Sequence, residues 1–133
     1  RKKLGPIVFS DTSKMDRLNQ IMHPLIRDLI EKRLASLESN QTKVAVVEAA
    51  ILIEAGWKSV FDEIWVVIAD REEVINRLGI RNGLNRDEAV RRIDSQMSDN
   101  ERIKHGDVVV ENTGNMEDLQ TRVHSLWSRR ISA

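Results

Sequence analysis

The chain has 133 residues, 21 basic against 21 acidic side chains, and no cysteine. The length suits one domain with a real core but not two, and the missing thiols exclude disulfides and thiolate metal sites. Zero net charge speaks against a nucleic-acid binder that works by neutralising phosphates, and no apolar run reaches the ~20 residues of a membrane-spanning helix.

Arg1-Lys2-Lys3, without Met, reads as the interior of a longer chain or, alternatively, as a processed N-terminus. Pro6 to Phe9 is too short to assign. Asp11-Thr12-Ser13 supplies N-cap chemistry and predicts a helix through about Met22. Pro24 suits the first turn of a second helix. There Leu25, Ile26, Leu29, Ile30, Leu34 and Leu37 recur at helical spacing, with Arg27, Glu31, Lys32 and Glu38 on the other side. Ser39-Asn40-Gln41 ends it.

Val44 to Val47 is a continuous apolar run, the pattern of a strand buried on both faces. It reaches Glu48, crosses small residues to Glu54 and closes on Gly56-Trp57. Ligand sites of open α/β sheets lie past the carboxyl ends of strands, so Glu48 and Glu54 are site candidates. Trp57 to Phe61 predicts a short helical turn, and Ile64 to Ala69 a second strand. Asp70 then caps a helix carrying Val74, Ile75 and Leu78, broken at Asn82-Gly83. Asn85 with Glu88 predicts a capping box, opening a helix with Ala89, Val90, Ile93 and Met97 inward. Asp107 to Val110 is a third strand, turned at Asn112-Thr113-Gly114. A final helix carries Met116, Leu119, Val123, Leu126 and Trp127. Apolar strands separated by helices predict an α/β fold, a parallel sheet covered on both faces in three layers.

Six arginines, Arg71, Arg77, Arg81, Arg86, Arg91 and Arg92, crowd between the second and third strands. Guanidinium groups grip phosphate through a fixed fork. A helical segment carrying them beside a flexible turn suits a lid over a polyphosphate. Equally, they could be a solvated face paired with Glu72, Glu73, Asp87 and Glu88. Glu48 and Glu54 could hold Mg²⁺ through water or orient a hydroxyl, or Glu54 could cap a turn or pair with Lys58. His23 could meet a substrate phosphate or a ribose, or cap and pack. The Asn112 turn could contact a purine, or be only a turn. Trp57, Trp65 and Trp127 read as packing residues. The three histidines lack metal-ligand spacing, and no GxxxxGK[ST] phosphate cradle occurs.

Read in order, several pieces resemble dephospho-CoA kinase. They are Ile7-Val8-Phe9-Ser10-Asp11, Ile21-Met22-His23-Pro24-Leu25-Ile26, Val46 to Trp57, and Phe61-Asp62-Glu63-Ile64-Trp65-Val66. Further on come Arg77-Leu78 with Arg81-Asn82-Gly83-Leu84, Arg92-Ile93 with Gln96-Met97, and Asp107 to Asn112. The likeness is nearest to the kinase domain of the eukaryotic bifunctional CoA synthase. It implies a P-loop fold of the nucleoside-monophosphate-kinase type with its N-terminal part absent here. Residues 1–133 would be the C-terminal part of one kinase domain, with the lid at about 71–104. The implied reaction moves the ATP γ-phosphoryl to the 3′-hydroxyl of dephospho-CoA, with Mg²⁺, in the cytoplasm or in association with mitochondria. An adenylyltransferase domain fused upstream is a further implication.

By the same resemblance, Arg77 and Arg81 are lid arginines at the transferred phosphate, and Arg92 and Asn112 belong to the ATP site. His23, Glu54 and Glu48 belong to the acceptor site. The chain departs from the family pattern at Glu48 (usually Asp), at Ala50 (often Pro, with Ala like the eukaryotic form) and at Asn82 (usually Asp). Because the phosphate loop and the aspartate expected as base lie outside these residues, residues 1–133 alone are expected not to turn over.

Overall fold

The computed structural model describes residues 4–9 and 11–131. The chain divides into two compact units, Arg1–Val60 and Phe61–Ala133.

The first unit holds helices α1 (Leu4–Phe9) and α2 (Thr12–Ser39). Asp11 caps α2 as its sequence predicts, its carboxylate accepting from the Ser13 N–H at 3.0 Å and the Lys14 N–H at 3.4 Å. The expected break at Pro24 does not occur, and α2 runs through it as one 28-residue helix. Proline removes one N–H bond within the helix, but the turns on either side propagate without it. The apolar stripe is real yet unburied: Leu25 and Leu29 are each 61% exposed, and α2 buries no residue. Among the described residues, Val8 and Trp57 are the buried ones of this unit.

Val44–Val47 corrects the strand expectation. It forms no strand, and Val46 is 78% exposed. An apolar run becomes a strand only by sharing its backbone groups with a neighbour, and residues 44–47 take part in no ladder among the described residues. Glu48 therefore follows a stretch with no regular secondary structure. Residues 50–56 form turns closed by the Gly56 N–H on the Ile53 carbonyl and the Trp57 N–H on the Leu52 carbonyl, both at 3.0 Å. This bonding pattern is that of a Schellman turn and demands a left-handed residue, supplied by Gly56 at φ 70°. A 3-10 turn at Lys58–Val60 follows, where a helical turn was expected.

In the second unit, β1 (Trp65–Ile68) and β2 (Val108–Glu111) pair in parallel, with Trp65 opposite Val108 and Ile68 opposite Glu111. The sheet has two strands rather than the three expected. The crossover carries α3 (Arg71–Asn82), α4 (Arg86–Asp94) and α5 (Asp99–Ile103), and α6 (Met116–Arg130) follows β2. Asp70 caps α3 through the N–H groups of Glu72 and Glu73, and Gly83 at φ 67° ends it. Asn85 and Glu88 form the reciprocal capping box of α4. Helix α5, whose cap Ser98 accepts from the Glu101 N–H at 3.3 Å, had no separate sequence assignment. Ile75, Leu78 and Ala89 form a buried cluster edged by Val74, Leu84, Val90 and Ile93.

Two ion pairs tie α3 to α4. Arg86 grips Glu72 through both nitrogens, at 2.7 and 2.6 Å, and Arg71 donates to Asp94 at 2.7 Å. The Arg86 hydrogen bond holds the Glu72 carboxyl below its ordinary 4.5. A lowered folded-state value stabilises the fold above the unfolded value and is lost as pH falls through the folded one. A Glu72→Gln variant is thus expected to melt below wild type at neutral pH. The gap should close as pH drops under 4.5; thermal melts across that range measure it, and a gap constant with pH would contradict the assignment.

Candidate functional site

The carboxyl end of the sheet is built from Ile68, Asn112 and the start of α3. The Asn112 N–H donates to the Ile68 carbonyl at 2.7 Å, extending the ladder one residue past β2. Arg77, on α3, comes down onto this end. Its Nη2 donates to the Asn112 carbonyl at 3.2 Å and to the Asn112 Oδ1 at 3.4 Å, and pairs with Glu73 one helical turn before it. Two residues picked out separately from the sequence, Arg77 and Asn112, are brought into contact here.

The arginines fall into two sets. Arg71, Arg77 and Arg86 are each paired with a carboxylate. Arg81, Arg91 and Arg92 have no carboxylate partner among the described residues. So the alternative of a solvated, ion-paired face holds for half of them, through Asp94, Glu73 and Glu72; Glu88 is occupied by its capping role. Arg81, in the last turn of α3, donates from Nε to the Asn82 Oδ1 at 3.1 Å. That bond leaves Nη1 and Nη2, the paired-donor end of the guanidinium, open to solvent. The neutral amide of Asn82 orients Arg81 without offsetting its charge.

In the first unit, His23 meets Trp57 edge to face, with ring centroids 5.7 Å apart at 77°. Packing against a buried indole is one of its two expected roles. Glu48 and Glu54 are exposed, and neither carboxylate has a hydrogen bond or ion pair with another described residue. Among the described residues no three carboxylate or imidazole groups come together in a way that could hold a metal. None is assigned to Mg²⁺, which enters kinase sites mainly on substrate phosphates and one or two carboxylates.

Sequence reading left Glu73 among the ion-pairing surface acids; its signal was the i, i+4 spacing to Arg77. The 35-residue link from Arg77 to Asn112 had no sequence signal.

Fold and site together define a parallel α/β protein whose arginine-rich crossover places Arg77 on the carboxyl end of the sheet. A sequence profile described as Dephospho-CoA kinase matches residues 1–118. The dephospho-CoA kinase of Geobacter sulfurreducens is 47% identical over 131 residues, covering 98% of this chain and 66% of the relative. A crystallised protein of Thermus thermophilus superposes with a TM-score of 0.75 at 30% identity, covering 98% of this chain and 66% of that one. The dephospho-CoA kinase of Campylobacter jejuni does so with a TM-score of 0.69 at 26% identity, covering 99% and 65%. This chain belongs to the dephospho-CoA kinase family. It spans 66% of the length of the Geobacter relative.

Proposed function

We propose that these residues form the acceptor and lid part of a kinase that transfers the γ-phosphoryl group of ATP to the 3′-hydroxyl of dephospho-CoA. The observation that carries this reading is Arg81: its paired-donor end is unspent, while Arg71, Arg77 and Arg86 are held by carboxylates. Phosphoryl transfer asks a protein mainly for positioning and for positive charge at the transferring group. Arg81 and Arg92 supply that charge, and Asn112 sits where a nucleotide would meet the end of the sheet. His23, Glu48 and Glu54 serve the acceptor, Glu48 and Glu54 as carboxylates open to hydroxyl or amine donors.

The P-loop fold of nucleoside-monophosphate-kinase type, with a phosphate loop and a catalytic aspartate outside residues 1–133, completes the proposal. ATP and dephospho-CoA are the partners, with Mg²⁺ travelling on ATP. A cytoplasmic setting is part of this proposal. Kinship with the bifunctional CoA synthase, and with it an upstream adenylyltransferase domain, rests within this chain on Ala50, and translating the upstream codons tests it.

The direct test follows CoA formation from ATP and dephospho-CoA by the full-length protein. CoA is expected, with no product when a nucleoside or shikimate replaces the acceptor. Residues 1–133 alone should form none. Phosphorylation of another acceptor in preference would reassign the substrate. The absence of any ATP-dependent transfer would leave a non-catalytic interaction fragment as the function.

A further inference from the structure

Arg77 differs from Arg81 in how its guanidinium is held. Its contacts converge on one nitrogen: Nη2 meets Glu73, the Asn112 carbonyl at 3.2 Å and the Asn112 Oδ1 at 3.4 Å. Nη2 is the corner shared by both paired-donor edges of an arginine. Its occupation leaves Nε and Nη1 for single contacts and removes the two-pronged grip. The Asn112 oxygens are uncharged and lie 35 residues from Arg77, whereas Glu73 sits one turn away on the same helix and is only 29% exposed at its side chain. Without Glu73, two neutral acceptors at the long end of hydrogen-bond range would have to fix a flexible cation.

We propose that Glu73 is a positioning residue of the nucleotide site. It fixes Arg77 by one corner, so that α3 is tied to the Asn112 turn and the remaining donors of Arg77 stay aligned on a bound nucleotide. The inference rests on the kinase reading above. It assigns to Glu73 a role through Arg77, not a contact with substrate.

The test compares Glu73→Ala and the near-isosteric Glu73→Gln with wild type in the full-length protein. KM for ATP, KM for dephospho-CoA, kcat and the melting temperature are measured, with kinetics run well below the melts. Glu73→Ala should raise KM for ATP on the order of ten-fold, with KM for dephospho-CoA nearly unchanged. Glu73→Gln, which keeps an acceptor at the same reach, should recover part of that loss. A merely structural helix pair would lower the melting temperature alone, and that outcome overturns the proposal, as does a loss shared equally by both substrates. An inactive wild-type protein sinks the kinase reading and this inference together. An active wild type whose Glu73→Ala variant keeps its KM for ATP sinks this inference only.

Discussion

Replacing Arg81 by Ala in the full-length protein is expected to lower kcat/KM by about 10²- to 10³-fold, the cost of one charge-assisted contact to a transferring group at roughly 2.7–4 kcal/mol. Vacant donors set the size of the effect. An arginine gripped by a carboxylate on both prongs has its charge offset and its paired donors engaged, so removing it mostly removes a surface pair, worth about 0–1 kcal/mol. Arg81 has only a neutral amide on Nε. Arg86, gripped by Glu72 on both prongs, is the internal control: Arg86→Ala should leave kcat near wild type and lower the melting temperature slightly. Arg81→Lys keeps the charge but loses the planar fork, and should fall between wild type and Ala. Steady-state kinetics on the three variants decide it. Equal losses at Arg81 and Arg86 would mean the exposed cation is not the one that meets phosphate.

Gly106→Ala is expected to be among the most destabilising small substitutions in the second unit. A Cβ at Gly106 would lie 2.5 Å from the Val66 Cγ2 and 3.2 Å from the Val66 Cβ. Val66 is 5% exposed and lies in β1. Its branched side chain has little rotamer freedom with which to yield. The strand or the 106–108 turn must shift instead, against the bonds from the Asp107 and Val108 N–H groups to the Ile64 carbonyl at 2.8 and 3.1 Å. Overpacking of this kind costs roughly 1–3 kcal/mol. Gly79→Ala gives the opposite sign from the same chemical change. Gly79 is inside α3, where an added Cβ meets nothing nearer than the Leu84 carbonyl oxygen at 3.5 Å. Glycine in a helix interior is worse than alanine by about 0.5–1 kcal/mol, so this variant should gain about that much. Urea melts of both variants report the contrast; a neutral Gly106→Ala would show that the approach of the turn to β1 is looser than described.

Much of the second unit was legible residue by residue. Asp70, Asn85 with Glu88, and Gly83 each act on N–H or carbonyl groups within four positions of themselves, so the chain's own order carries them. The apolar runs at 64–69 and 107–110 became strands because each found the other, in parallel as the intervening helices required. The run at 44–47 has the same composition and found no partner. Pro24 misled in the other direction, since a local defect was weighed without the length of helix around it.

What belongs to the sequence alone, then, is every feature whose cause lies within about one helical turn: caps, left-handed glycines, amphipathic spacing and the crowding of arginines into one crossover. Tertiary structure decided which of those arginines remain available. Arg86 meets Glu72 across 14 positions, Arg71 meets Asp94 across 23, and Arg77 meets Asn112 across 35. A cation's pairing depends on distance in space, and a distance set by the approach of two helices or of a helix and a strand end leaves no trace in spacing along the chain.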